Sequence, residues 1–204
     1  MFTGIVQGTA LIKSIEKKDL LSRINIEFPE KALDKVAHGA SIAINGTCLT
    51  VSEFTDNTAS FDVMMETLRV TNLSLLAAGA IVNFERAAKF GDEIGGHLLS
   101  GHIHTTVEVS SVEKTENNCI INFKVPAEWT KYILPKGFVA VNGCSLTVGE
   151  VANNEFNVYL IPETLDITTF GSTTAGDVIN LEVDHQTQTI VDTIERLGLK
   201  IERD

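Results

Sequence analysis

Two stretches of this chain, 97 positions apart, carry residue types able to do chemistry. Residues 43–53 read AINGTCLTVSE and residues 140–150 read AVNGCSLTVGE. Side chains alternate across an extended strand, so Leu49 and Val51 face one way while Cys48 and Thr50 face the other. In the second stretch Leu146 and Val148 oppose Ser145 and Thr147. Each copy therefore offers an apolar face to a core and a small hydrogen-bonding face elsewhere. Small side chains let a flat ligand approach the backbone, and thiol or hydroxyl groups fix its orientation. As a thiolate, Cys48 would also attack an electron-poor ring. Its counterpart is a serine, however, and the strand supplies no adjacent cation, so an orienting or proton-handling role is expected.

A second cluster follows each strand pair: Asp62, Met64, Glu66 and Thr67, answered by Tyr159, Ile161, Glu163 and Thr164. Taken alone, the two glutamates read as helix caps or surface charges. Three histidines, His97, His102 and His104, crowd one region. On a strand His102 and His104 would share a face, as a metal pair requires, but no third ligand accompanies them and the cysteines lack CxxC or CxH spacing; no metal site is expected. A general acid–base or orienting role suits His102 better. It opens the second copy where the first has Ile5, so two otherwise similar sites differ in one titratable group.

The elements that position these residues repeat as well. Shifted by 97 positions, Gly4 falls on Gly101, Pro29 on Pro126, Glu66-Thr67-Leu68 on Glu163-Thr164-Leu165, and Asn83 and Glu85 on Asn180 and Glu182. A long unit present twice is a duplicated domain, not a solenoid. The segments TALIKSI, RINIEF, SIAI, CLTVSEF, ASFDVM and AIVNFERA predict six strands. TVEVSSV, CIINFKV, FVAV, SLTVGEV, FNVYLI and VINLEV predict six more. Asn45-Gly46 and Asn142-Gly143 predict two-residue hairpin turns. Short helices are expected after Pro29 and Pro126 and at ETLRV and ETLDI. The fold class is all-β, with barrels favoured over sandwiches. The glycine-rich AKFGDEIGGHLLSG between the copies lacks a phosphate-binding pattern and reads as a flexible crossover. In the tail, Ile190, Val191, Ile194 and Leu197 form a helical stripe able to cover the chain's own barrels or the same helix of another subunit.

Composition sets the outer limits. The 204 residues are 44% hydrophobic and 21% charged, as in a globular chain. A net charge of −11 argues against a surface for nucleic acid or an anionic membrane. The beginning, MFTGIVQGTA, does not read as a signal peptide, no apolar run suits a membrane span, and the three cysteines read as reduced thiols; a cytoplasmic location is expected.

Together MFTGIVQG, NGTCLTV, FDVMMETLRVTNL, ERAAKFGDEIGGHLLSGHI, KGFVAVNGCSLTVGEV and LIPETLDITT make the chain closely resemble the riboflavin synthases of the trimeric, two-barrel type. Lumazine-binding antenna proteins, which keep the duplicated fold without the catalytic pattern, are the alternative. The resemblance implies two tandem six-stranded Greek-key β-barrels plus a C-terminal α-helix: a first unit at 1–97, a second at 98–185 and a trimerisation helix at 186–204. Each barrel would bind one 6,7-dimethyl-8-ribityllumazine. Two such molecules would dismutate to riboflavin and a ribitylamino-pyrimidinedione, without metal or redox cofactor, in active sites between the subunits of a homotrimer. Lumazine synthase is the candidate protein partner.

The family's binding positions fall, in the first half, on Gly4, Ile5 and Val6, on Cys48, Leu49 and Thr50, and on Asp62, Val63, Met64, Met65, Glu66 and Thr67. In the second half they fall on Gly101, His102 and Ile103, on Lys136, on Ser145, Leu146 and Thr147, and on Tyr159, Leu160, Ile161, Pro162, Glu163 and Thr164. The resemblance is thereby taken to place Gly4–Val6 in the first barrel and Gly101–Ile103 in the second. The mechanistic candidates implied are Phe2, Ser41, Cys48, His102, Ser145, Thr147 and Asp184. Some members carry Asp where this chain has Asn142.

Overall fold

A computed structural model describes residues 1–115 and 118–198. The first repeat contributes β1 (Gly8–Lys18), β2 (Leu21–Glu27), β3 (Ser41–Ile44), β4 (Thr47–Phe54), β5 (Thr58–Met64) and β6 (Ile81–Arg86). They close into a barrel in the order β1-β2-β5-β4-β3-β6. The second repeat contributes β7 (Thr105–Lys114), β8 (Cys119–Lys124), β9 (Phe138–Val141), β10 (Cys144–Ala152), β11 (Glu155–Leu160) and β12 (Val178–Val183), closed in the equivalent order. All twelve strands cover the segments expected from alternation. Every pairing is antiparallel, and closure leaves no free edge. Bulges recur at repeat-equivalent places, at Ile12/Ser14 and Val109/Ser111 and just after Val51 and Val148.

Alternation fills each barrel. Ile12, Ile24, Ile26, Ile42, Val51 and Phe61 fill the first; Val109, Ile121, Phe123, Val139, Val148 and Phe156 fill the second. Short helices cap the barrels at α1 (Met65–Val70), α2 (Ala127–Thr130) and α3 (Pro162–Ile167), and α4 (His185–Arg196) follows β12. The expected helix after Pro29 is absent. Residues there form successive turns, because Lys31 and Lys35 take left-handed φ values of 66° and 58° that interrupt helical winding.

The hairpin turns do more than reverse the chain. Asn45 and Asn142 share a φ of 44°, and Gly46 and Gly143 follow at 80° and 81°. The two turns lie back to back: a Cβ on Gly46 would stand 2.6 Å from the Gly143 nitrogen. Buried asparagines lace this junction across a pseudo-two-fold axis. Asn83 Nδ2 donates to the Asn142 carbonyl at 3.0 Å, and Asn180 Nδ2 donates to the Asn45 carbonyl at 2.8 Å. A buried amide left without a partner is costly, so the fully paired set fixes one docking geometry.

The segment between the barrels is not merely a flexible crossover. Phe2 and Leu99 pair as an antiparallel bridge, with N–O distances of 2.9 and 3.0 Å. A Cβ on Gly96 would lie 2.3 Å from the Thr3 carbonyl oxygen and 2.6 Å from Ser145 Cβ. Here glycine permits close packing as well as a change of direction.

The apolar stripe on α4 divides. Val191 packs on the second barrel, whereas Ile190 and Leu197 face outward. The last part of the tail, 199–204, lies outside the described residues. Among the described residues no helix is long and apolar enough to cross a membrane.

Candidate functional site

The repeated strands deliver the alternation their sequence encodes. In β4 Leu49 and Val51 are buried while Cys48 is half-buried and Thr50 exposed; in β10 Val148 is buried, Ser145 and Leu146 half-buried and Thr147 exposed. The two segments leading into β1 and β7 then cross over. Cys48 N donates to the Gly101 carbonyl at 2.9 Å, and Ser145 N donates to the Gly4 carbonyl at 2.8 Å. Val6 enters the second barrel's core. Gly4–Val6 thus lie with the second barrel and Gly101–Ile103 with the first, the reverse of the grouping their chain position suggests. Both glycines are required: their φ values are 75° and 79°, and a Cβ would fall 2.5 Å from Ser145 Cβ and 2.6 Å from Cys48 Cβ, respectively.

Two residues not singled out as site candidates hold these crossings. Glu85, buried on β6, accepts from Thr3 N at 2.6 Å, Thr3 Oγ1 at 2.8 Å and Gly4 N at 3.0 Å. Glu182, its repeat partner on β12, accepts from Ser100 N and Oγ, both at 2.8 Å, and Gly101 N at 3.1 Å. A carboxylate in each barrel therefore fixes the segment that completes the other barrel's pocket. The available signal was a glutamate repeated at a core-strand position. Burial raises both carboxyls above their ordinary 4.5, outweighing the donors around them. Their protons are held more tightly in the folded than in the unfolded chain. The stability they contribute is complete below about pH 4.5 and is lost as pH rises through the raised folded values. Denaturant melts of wild type and Glu85→Gln/Glu182→Gln should therefore show a stability difference that shrinks as pH rises above 4.5. A difference that grows would contradict this reading.

His97 is buried with its ring stacked on Phe138, centroids 5.2 Å apart. Its Nδ1 lies 2.6 Å from Ser145 Oγ, and burial depresses its basicity. His102 is exposed and sits outside any strand, its backbone N–H donating to Ser100 Oγ at 3.1 Å. Its backbone neighbour Gly101 is the residue that meets Cys48, while the His102 side chain lines a cavity with His97 and Phe138. His104 accepts at Nδ1 from Val183 N and meets Gln188 Oε1 through Nε2, at 3.2 and 3.1 Å, which commits both ring nitrogens. Since residues 101–104 are irregular, His102 and His104 do not share a strand face, and among the described residues no group of three or more His, Cys, Asp or Glu side chains is placed to hold a metal. A cavity of about 660 Å³ lies between these histidines, Phe138, Asp184 and Gln188. Asp184 caps α4, accepting from Thr187 N at 2.9 Å and Oγ1 at 2.7 Å; these bonds keep its carboxyl below the usual range despite burial.

The remaining candidates sort by exposure. Asp62, Met64, Met65 and Glu66 line an open face, matched by Tyr159, Ile161, Pro162 and Glu163. Arg23, also not anticipated, grips Asp62 at 2.8 Å through Nε and Nη2, which holds that carboxyl below its ordinary range. Glu66 is tied to Arg69 at 2.6 Å. Thr67 and Thr164 are half-buried near the starts of α1 and α3. Leu49, Val63 and Leu160 point into the cores and offer a ligand only their backbone. Lys136 holds a left-handed φ of 67° where the first copy has Gly39. Ser41 is half-buried opposite Thr50, and Phe2 is 1% exposed against Ala43, Leu99 and Ala140. Burial pushes the Cys144 thiol up to about 12, which disfavours its nucleophilic thiolate form.

Two barrels with matching polar strands, each completed by the other's leading segment, suit a flat ligand bound twice. A lumazine binding domain matches residues 3–87 and again 100–184. The riboflavin synthase of Escherichia coli (strain K12) is 56% identical over 198 residues, covering 97% of this chain and 93% of that protein. That of Bacillus subtilis (strain 168) is 39% identical over 184 residues, covering 90% and 85%. LumP solved with 6,7-dimethyl-8-(1'-D-ribityl) lumazine superposes with a TM-score of 0.83 at 28% identity, covering 91% of this chain and all of that one. LumP with riboflavin gives 0.85 at 29%, with the same coverage. The fold and site thus define a protein of paired lumazine-binding domains. Within that class the chain belongs to the riboflavin synthase family.

Proposed function

We propose that this chain is an enzyme that dismutates two molecules of 6,7-dimethyl-8-ribityllumazine to riboflavin and 5-amino-6-(D-ribitylamino)uracil. The observation that carries the proposal is a pair of pockets built alike and equipped differently. Cys48 and His102 mark the first; Ser145 and Ile5 mark the second. A reaction that consumes one substrate twice, as donor and as acceptor of a four-carbon unit, calls for this arrangement. The higher identity to riboflavin synthases than to LumP favours turnover over an antenna role.

The substrate's electron-poor ring acidifies its own methyl group, so the protein's work is placement, proton handling and polarisation. Holding two reactants in register supplies up to about 7–11 kcal/mol. Acid–base assistance is typically worth about 10²–10⁴-fold. The binding positions proposed are those of the crossed segments, the polar strands and the two open faces, with Lys136 beside the second. Phe2, Ser41 and Asp184 support the chemistry from the edges. His102→Gln should lower turnover about 10–1000-fold while substrate still binds. Undiminished turnover would remove that side chain from the mechanism. Mixing the protein with the lumazine and following riboflavin absorbance tests the activity itself; binding without product would favour the antenna reading.

The open faces also suggest that pockets of different subunits meet. We place the division of the chain at 1–97, 98–185 and 186–204, with α4 joining three copies through Ile190 and Leu197, and lumazine synthase as a candidate supplier of substrate. A cytoplasmic location suits a chain with this chemistry and reduced thiols. Sedimentation equilibrium giving a monomer would overturn the trimer.

A further inference from the structure

We propose that His97 is a positioning residue that sets the polarity of the second pocket: as the Nδ1–H tautomer it donates to Ser145 Oγ, leaving the serine hydroxyl to donate to an acceptor atom of the bound heterocycle. This rests on the reading above that Ser145 faces the ligand. The argument begins with an orphan. Among the described residues His97 Nε2 is buried with no hydrogen-bond partner, while Nδ1 lies 2.6 Å from Ser145 Oγ. A neutral imidazole carries its proton on one nitrogen or the other. A proton on Nε2 would bury an N–H with nothing to accept it, and orphaned buried N–H groups are rarer than under-satisfied acceptors. On Nδ1 the proton has a partner in reach. Stacking on Phe138 holds the ring plane against rotation, and burial keeps the ring neutral.

The consequence falls on Ser145. Its backbone N–H is taken by Gly4 and one hydroxyl lone pair by His97. Its O–H has no acceptor among the described residues and must seek one in the pocket. The ligand atom it suits is a ring carbonyl oxygen or a bare ring nitrogen, not a ring N–H. Donation there withdraws electron density, so the heterocycle in the second pocket becomes the more polarised of the pair. The first pocket differs: its thiol is a weak donor, and no histidine ring nitrogen bonds Cys48 among the described residues.

Long-range ¹H–¹⁵N correlation on the histidine-labelled, full-length protein reads the tautomer directly, with His97 assigned from its loss in His97→Asn. A protonated Nδ1 and bare Nε2 are expected; a protonated Nε2 overturns the proposal. Titration with 6,7-dimethyl-8-ribityllumazine supplies the functional arm. His97→Ala should weaken the second pocket about three- to tenfold, and His97→Asn, whose amide nitrogen replaces Nδ1, should restore most of it. Ser145→Ala combined with His97→Ala should be no weaker than Ser145→Ala alone. Additive losses would show that His97 does not act through the serine. Absence of lumazine binding in wild type would defeat the functional reading and leave the tautomer result standing.

Discussion

Replacing Glu85 with glutamine should damage the pocket of the barrel to which Glu85 does not belong. Its two oxygens accept three bonds from Thr3 and Gly4, and the Gly4 carbonyl in turn receives Ser145 N. An amide in either orientation turns an NH₂ toward a backbone N–H that needs an acceptor. A buried donor left without its acceptor costs about 1–3 kcal/mol. Losing one or two of the three bonds, according to the orientation of the amide, should loosen residues 3–6 by about 2–4 kcal/mol. Amide exchange should quicken at Thr3, Gly4 and Ser145 and leave Cys48 protected. Lumazine affinity should fall at the second pocket, and Glu182→Gln should mirror the effect at Cys48. If Glu85→Gln weakened the first pocket and spared the second, the crossing would have no functional weight.

Phe2→Ala should disable both pockets at once. The ring is buried at the pseudo-two-fold axis against Ala43, Leu99 and Ala140, and it abuts Gly101, where an added Cβ would meet Phe2 Cε2 at 2.9 Å. Truncating a buried phenylalanine costs about 3–5 kcal/mol. Here the cost falls on the bridge that aligns both crossing segments, since Phe2 and Leu99 bind each other's backbone. Turnover should fall at least about 100-fold. Phe2→Leu, which keeps most of the apolar volume, should recover much of it. That recovery separates a packing role from a chemical one: a leucine variant as inactive as the alanine variant, yet fully folded by circular dichroism, would mean that the aromatic ring itself takes part.

Much of this was legible in the sequence because period-two alternation and repeat spacing are local signals. Cys48 and Thr50 could be assigned to one strand face, and the Asn-Gly turns located, without any tertiary information. The turns after Pro29 were not legible as such, since the composition there also permits a helix and only the left-handed Lys31 and Lys35 decide otherwise. The crossing was hidden for a different reason. Gly4 and Gly101 align in the repeat, but alignment does not say which barrel each touches, and chain proximity points the wrong way. Glu85 and Glu182 aligned as well, and only burial reveals them as anchors. His97 stands outside the repeat, so no counterpart marked it; its role emerges from the 2.6 Å approach to Ser145.

The central claim is that two unequal pockets bring a pair of identical heterocycles face to face. A crystal structure of the assembled protein with an unreactive lumazine analogue tests it most directly. The account predicts one analogue at Cys48 and another at Ser145 of every chain, with rings from neighbouring pockets stacked about 3–3.5 Å apart. A single occupied pocket per chain, with no second ring in reach even across subunits, would contradict it.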